Sequence, residues 1–164
     1  MKGGRFLFLA GFLLAVLSGC GTGPAGSSAS TGPATATMAS IGKVVTAADV
    51  QLTVTNVEAP FSSNDQFLKP KNGQFLVASV HLKNIGDRDL PVGSVLTFQL
   101  RDSDGIAYNE TTVPGAPKPP DGALPPGDQL DGGLTYDVPV GKKFELYFTS
   151  VKLTAPLIVD LGTY

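Results

Sequence analysis

From residue 41 onward, apolar and polar residues alternate with a period of two, the pattern of half-buried β-strands. Leu96, Phe98 and Leu100 fall on one face of Val95–Arg101, and Thr97, Gln99 and Arg101 on the other. Gln51–Val57 sets Leu52 and Val54 against Thr53 and Thr55. Gln74–Asn84 is longer: Leu76, Ala78, Val80 and Leu82 share one face, while Phe75, Val77, Ser79, His81 and Lys83 share the other. Its first half is apolar on both faces, which predicts a central strand. Asp131–Val138, Phe144–Ser150 and Leu157–Leu161 read as further strands, with shorter ones at Lys43–Ala48 and Ile106–Asn109. No segment carries the period of a convincing amphipathic helix. Glycine-bearing turns punctuate the pattern at Lys71-Asn72-Gly73, Ile85-Gly86-Asp87, Ser103-Asp104-Gly105 and Pro126-Gly127-Asp128. Seven or eight short strands at this spacing predict an all-β fold, an immunoglobulin-like antiparallel β-sandwich over residues 41–164. The chain has no tryptophan, so the Cys–Trp–Cys core of antibody domains is absent.

The beginning of the chain follows a different pattern. Lys2 and Arg5 precede an apolar run of 12 residues, Phe6–Leu17. A bilayer span takes roughly 20 apolar residues, so this run is too short to cross. A basic flank, a short apolar core and small residues after it describe a secretory signal. Leu17-Ser18-Gly19-Cys20 closes the run and resembles the lipobox of bacterial lipoproteins. That resemblance implies a signal peptide over residues 1–19, a diacylglyceryl group on the Cys20 sulfur and cleavage between Gly19 and Cys20. Cys20 is the only cysteine, so it has no disulfide partner within the chain. Two acyl chains anchor durably where one holds only marginally.

Gly21–Ser40 consists, Met38 apart, of Gly, Ala, Ser, Thr and Pro. Such a segment cannot bury enough surface to offset its ordering entropy, so residues 20–40 read as a lipid-bearing cysteine and a flexible linker. Thr31, Thr35 and Thr37 are its sites for O-glycosylation, set against a plain tether. The formal charge is −2 and becomes more negative once Lys2 and Arg5 leave with the signal. This balance gives no basic patch for nucleic acid and no basic cluster for anionic lipid.

Three stretches carry a family resemblance. Gln74–Asp87 matches a central strand ending in an Asn-x-Gly-Asp turn, and Phe98–Gly105 a strand leading into an Asp-Gly turn. Leu124–Asp128 and Gly132–Pro139 match a proline-glycine turn and the closing strand after it. Together they resemble a bacterial lipoprotein domain of unknown function related to the mycobacterial immunoprotective extracellular antigen. The resemblance covers roughly Lys43–Asp160. It implies an immunoglobulin-like fold and brings no catalytic residues with it.

Candidate chemistry is sparse. His81 is the only histidine and shares a strand face with Ser79 and Lys83. A catalytic triad would need it held by a carboxylate and touching a serine, and zinc would need several more ligands. Asp102-Ser103-Asp104-Gly105 briefly resembles a calcium loop, but the glycine comes too early for an EF-hand. Asp102 and Asp104 are therefore weak metal candidates; Asp87 and Asp89 could join them in a composite site, but nothing in the sequence requires it. Val113–Pro126 holds six prolines. Its Pro114, Pro117, Lys118, Pro119 and Pro120 form a stiff loop that either docks a partner or simply connects the sheets. The expectation is a non-catalytic binding or interaction module without a cofactor, on the extracytoplasmic face of a bacterial cell membrane. Its partners would be the membrane, through Cys20, and an envelope protein or cell-wall polymer. The alternative is a carrier lipoprotein for a small ligand or metal ion.

Overall fold

The alternation resolves into eleven strands and one helical turn in a computed structural model that describes residues 36–164. In chain order these are β1 (Thr37–Ser40), β2 (Val45–Ala47), β3 (Val50–Glu58), β4 (Gln74–Asn84), β5 (Leu90–Val92) and α1 (Ser94–Thr97). They are followed by β6 (Phe98–Asp102), β7 (Ala107–Tyr108), β8 (Gly122–Leu124), β9 (Gln129–Val138), β10 (Lys143–Phe148) and β11 (Leu157–Thr163). One sheet has the order β1-β11-β10-β6-β7, the second β2-β3-β4-β9, and β5 and β8 form a small third pair. The two larger sheets face each other as an immunoglobulin-like sandwich. Their pairings are antiparallel except that β1 runs parallel to β11.

The core follows from the strand periods. Leu52 and Val54 of β3, Leu76, Ala78, Val80 and Leu82 of β4, and Leu134 and Tyr136 of β9 turn inward from one sheet. Leu100 of β6, Phe144, Leu146 and Phe148 of β10 and Val159 of β11 meet them from the other. Fully burying such a side chain contributes about 1.5–3 kcal/mol, and with no disulfide available these layers hold the domain together. β4 is central as expected, lying between β3 and β9. Phe75 and Val77 on its outer face are buried too. The 59–73 connection folds back beside them, with the Phe61 N–H donating to the Phe75 carbonyl.

Two expectations are corrected. Val95–Arg101 is not one strand: residues 94–97 form α1, and pairing begins at Phe98. The Leu96 and Thr97 N–H groups both donate to the Gly93 carbonyl, as does the Thr97 hydroxyl, and these bonds wind the chain before it reaches the sheet. Leu96 therefore points to solvent instead of joining Phe98 and Leu100. The second correction concerns the linker. β1 lies inside residues 20–40, so pairing starts at Thr37 and not after Ser40.

Register shows which end of the sandwich receives the chain. Thr37 pairs with Leu157, Leu157 with Phe148, and Phe148 with Phe98. This row of partners crosses one end of the five-stranded sheet. α1 precedes Phe98 and the 149–156 connection follows Phe148, so both project from that same end. Lys152 Nζ reaches the Asp49 carboxylate at 3.1 Å, which brings the β2–β3 turn of the other sheet to the same place.

Candidate functional site

Leu17, Ser18, Gly19 and Cys20 lie outside the described residues. The proline loop lies within them, and it serves as a strap. The Thr111 N–H donates to the Thr135 carbonyl at 2.8 Å, and the Gly133 N–H to the Lys118 carbonyl at 2.8 Å. The segment thus runs along the outer edge of β9. Pro117 sits on Gly133 and Pro120 on Gly132, so close that neither glycine has room for a Cβ. The Pro114 carbonyl accepts from the Asn64 N–H at 3.0 Å, which ties the strap to the 59–73 connection. A sheet edge with free N–H and C=O groups is a template for unwanted pairing, and prolines blunt it because they cannot donate. Pro120 is buried, while Pro114, Pro117, Lys118 and Pro119 remain at the surface.

The two aspartates singled out for metal already have partners. Asp102 is buried, and its Oδ1 accepts from the N–H groups of Asp104 and Ile106 at 2.9 Å each. Its Oδ2 accepts from the Tyr108 hydroxyl at 2.9 Å. Burial pushes this carboxyl pKa up, but the donations from Ile106, Tyr108 and Asp104 prevail and leave it below its ordinary value. Asp104 pairs with Lys142. The stretch that resembles a calcium loop is thus a hairpin turn locked by its own donors. Among the described residues no three His, Cys, Asp or Glu side chains group closely enough to hold a metal ion. His81 Nδ1 lies 2.6 Å from Asp131 Oδ1 across the β4–β9 ladder, a half-exposed cross-strand pair.

Tyr108 provides a pH test of the locked turn. Burial, then the hydrogen bond to Asp102, pushes its hydroxyl pKa up to about 12 from 10.0. Its contribution is therefore complete below pH 10. As pH rises from 10 to about 12 the unfolded chain releases this proton first, and the contribution is lost. Tyr108→Phe is expected to cost about 1 kcal/mol at neutral pH and to reduce the loss of stability on going to alkaline pH. Urea midpoints at both pH values, wild type against variant, check this.

Missed in the sequence was a polar group beside α1. The Ser94 N–H donates to Asp121 Oδ1 at 2.6 Å, and Ser94 itself is buried. Glu110 lies nearby, its pKa raised chiefly by burial and also by the charge of Asp121. The Tyr136 hydroxyl is buried and has no hydrogen-bond partner among the described residues. Only folding brings these four positions together, so no sequence motif announces them.

Also missed was the character of the end that receives the chain. Val95 is 74% exposed, Leu96 86% and Val151 93%. Leu96 and Val151 border a cleft of about 670 Å³ whose other walls include Pro91, Val92, Thr149 and Ser150. None of its lining residues is charged. Leu96 also borders a second recess with Arg101 and Tyr147, where the guanidinium carbon lies 4.9 Å from the ring centroid.

Comparison with known proteins agrees with this architecture. Residues 39–156 match the model of DUF4352, a domain of unknown function. No curated protein matches the chain. Among solved structures it is similar to the ycdA protein of Bacillus subtilis, a candidate lipoprotein, at 21% identity and a TM-score of 0.62 over 73% of this chain. The match spans 38% of that protein's length. The yjhA protein of Bacillus subtilis matches at 22% identity and a TM-score of 0.59, covering 75% of this chain and 98% of its own. The secreted protein MPT63 of Mycobacterium tuberculosis matches at 18% identity and a TM-score of 0.56, covering 77% of this chain and 98% of its own. At these identities the likeness is one of fold, and all are β-sandwich relatives of the kind that the turn motifs resemble.

Proposed function

The chain belongs to the DUF4352 family, and on that premise we propose that it is a lipid-anchored, non-catalytic interaction module on the extracytoplasmic face of a bacterial membrane. One observation carries the reading: Leu17-Ser18-Gly19-Cys20 directly behind a basic-flanked apolar core of 12 residues. The position of β1 supports it, because pairing begins at Thr37, close behind Cys20. Only 16 residues separate the two, so the sandwich is held within reach of the surface. The strap covers the β9 edge of its sheet, which directs a partner to the projecting loops, the ends of the sandwich or its other edges.

Crosslinking in native membranes tests the proposal, comparing wild type with Cys20→Ala. The anchored chain is expected to capture a few specific envelope proteins, and the soluble variant to lose them. A wild-type chain shown by mass to carry its lipid, yet capturing nothing, overturns the interaction reading. Native mass spectrometry for a bound small molecule would then test the carrier alternative.

A further inference from the structure

We infer that the exposed apolar end of the sandwich, formed by Val95, Leu96 and Val151, seats in the lipid surface that holds the anchor. This rests on the proposed lipidation of Cys20 and adds a second, noncovalent membrane contact to it.

Placement comes first. Thr37, Leu157, Phe148 and Phe98 form one row of partners across the sheet. The chain leading from Cys20 therefore joins the fold at the end from which α1 and the 149–156 connection project. Of the described residues, Val151, Leu96 and Val95 are among the most exposed large apolar side chains, and all three stand at that end. Met38, 59% exposed, is the second residue of β1, at the same end of the sheet but on its edge strand. Because the chain from Cys20 joins the fold at this end, this surface reaches the bilayer over the shortest span of chain.

Chemistry comes second. The cleft between Leu96 and Val151 has no charged wall. Three charges around it are engaged: Lys152 by Asp49 at 3.1 Å, Asp121 by the Ser94 N–H at 2.6 Å, and Arg101 over the Tyr147 ring. Apolar side chains backed by an arginine and a tyrosine suit the boundary between acyl chains and headgroups, where amphipathic side chains keep their polar ends in water. Asp87 and Asp89 lie exposed in the β4–β5 turn at this same end, which packs on Asp49 through the Ile85 N–H, so the contact is tilted away from them, toward α1 and the 149–156 connection. The chain is acidic overall, so attraction to anionic lipid is not the driving force. Burial of apolar side chains is, and it persists in high salt.

The test uses the full chain, processed and lipidated in a lipoprotein-processing bacterium and placed in phosphatidylcholine vesicles with and without phosphatidylglycerol. Thr149→Cys puts an environment-sensitive NBD label beside the cleft, and Ser103→Cys puts one at the opposite end. Lipid on Cys20 leaves the introduced thiol alone to react. The label at 149 is expected to be quenched by spin-labelled lipid about threefold more strongly than the label at 103, with little dependence on salt or phosphatidylglycerol. Adding Leu96→Asp and Val151→Asp is expected to abolish the difference. Equal, weak quenching at both positions in a chain whose Cys20 lipid is confirmed overturns the contact and leaves the anchor standing. An unmodified Cys20 overturns the anchor and this inference with it. A label at 149 that is protected in proportion to protein density, but not quenched by lipid, assigns the surface to a second copy and overturns the lipid contact.

Discussion

Gly132→Ala is expected to cost the domain about 1–3 kcal/mol, through overpacking against a backbone that cannot yield. A Cβ at this position would stand 2.4 Å from the Pro120 nitrogen and 2.6 Å from its Cδ. Pro120 is buried, and the strap on either side is tied down by the bond from Gly133 to Lys118 and by the β5–β8 pairing that follows it. Either β9 shifts, disturbing its ladder with β4, or the strap lifts and uncovers the edge of β9. Gly133→Ala is expected to cost less, because its Cβ meets the Pro117 ring, at 2.7 Å from Pro117 Cβ, rather than a backbone nitrogen. Pro117→Gly added to Gly133→Ala should restore part of the loss. Urea unfolding measures all three. A midpoint for Gly132→Ala equal to that of the wild type would refute the strap's tight seating. Native domains are stable by only about 5–15 kcal/mol, so the expected loss also promotes association through the freed edge.

Asn84→Ala is expected to cost about 1–3 kcal/mol, because it leaves one buried and two part-buried backbone groups without their partner. Asn84 is fully buried at the end of β4. Its Nδ2 donates to the Arg88 carbonyl at 2.7 Å and the Leu124 carbonyl at 2.8 Å, and its Oδ1 accepts from the Gly86 N–H at 3.0 Å. Its own backbone pairs with Asp128 and Gly127. One side chain therefore fastens the β4–β5 turn to the β8–β9 turn. Alanine strands two carbonyls and an amide that water reaches poorly. Asn84→Asp is no remedy, since it keeps the acceptor but aims a charge at two carbonyl oxygens. Urea unfolding gives the size of the loss, and hydrogen exchange at Gly86 and Gly127 shows whether it is centred there. A cost under about 1 kcal/mol would show that the turns hold without this side chain.

Strand periodicity was legible where one face is buried and the other wet. Gln74–Asn84 has the same bounds in the sequence and in the structure. The segments that escaped are those whose conformation is set from a distance. Leu96 and Thr97 of α1 continue the apolar-polar alternation of β6, yet the Ser94 amide that opens the turn is held by Asp121, 27 positions away. β1 pairs with β11 through its backbone, and its small and polar residues carry no apolar alternation to announce it. β5 and β8 are only 3 residues each, too short for a period to appear. Gly132 and Gly133 were read as part of a family motif. Their physical reason, the close approach of two prolines, appears only in three dimensions. For the candidate site the proline loop stood out in the sequence, while folding gave it its edge-covering role; the expected anchor at Cys20 lies outside the described residues. The apolar end was hidden by the misread strand, which turned Leu96 inward on paper and outward in the molecule.

A sandwich of this kind hosts many functions, so the functional reading rests on the proposed anchor at Cys20. The most direct test is the mass of the amino-terminal peptide of the mature protein, recovered from the membrane fraction of a lipoprotein-processing bacterium. The expected result is a peptide that starts at Cys20 and carries a diacylglyceryl group, with Cys20→Ala displaced to the soluble fraction. A mature chain that starts elsewhere, or a Cys20 with an unmodified thiol in a chain still bound to the membrane, would contradict it.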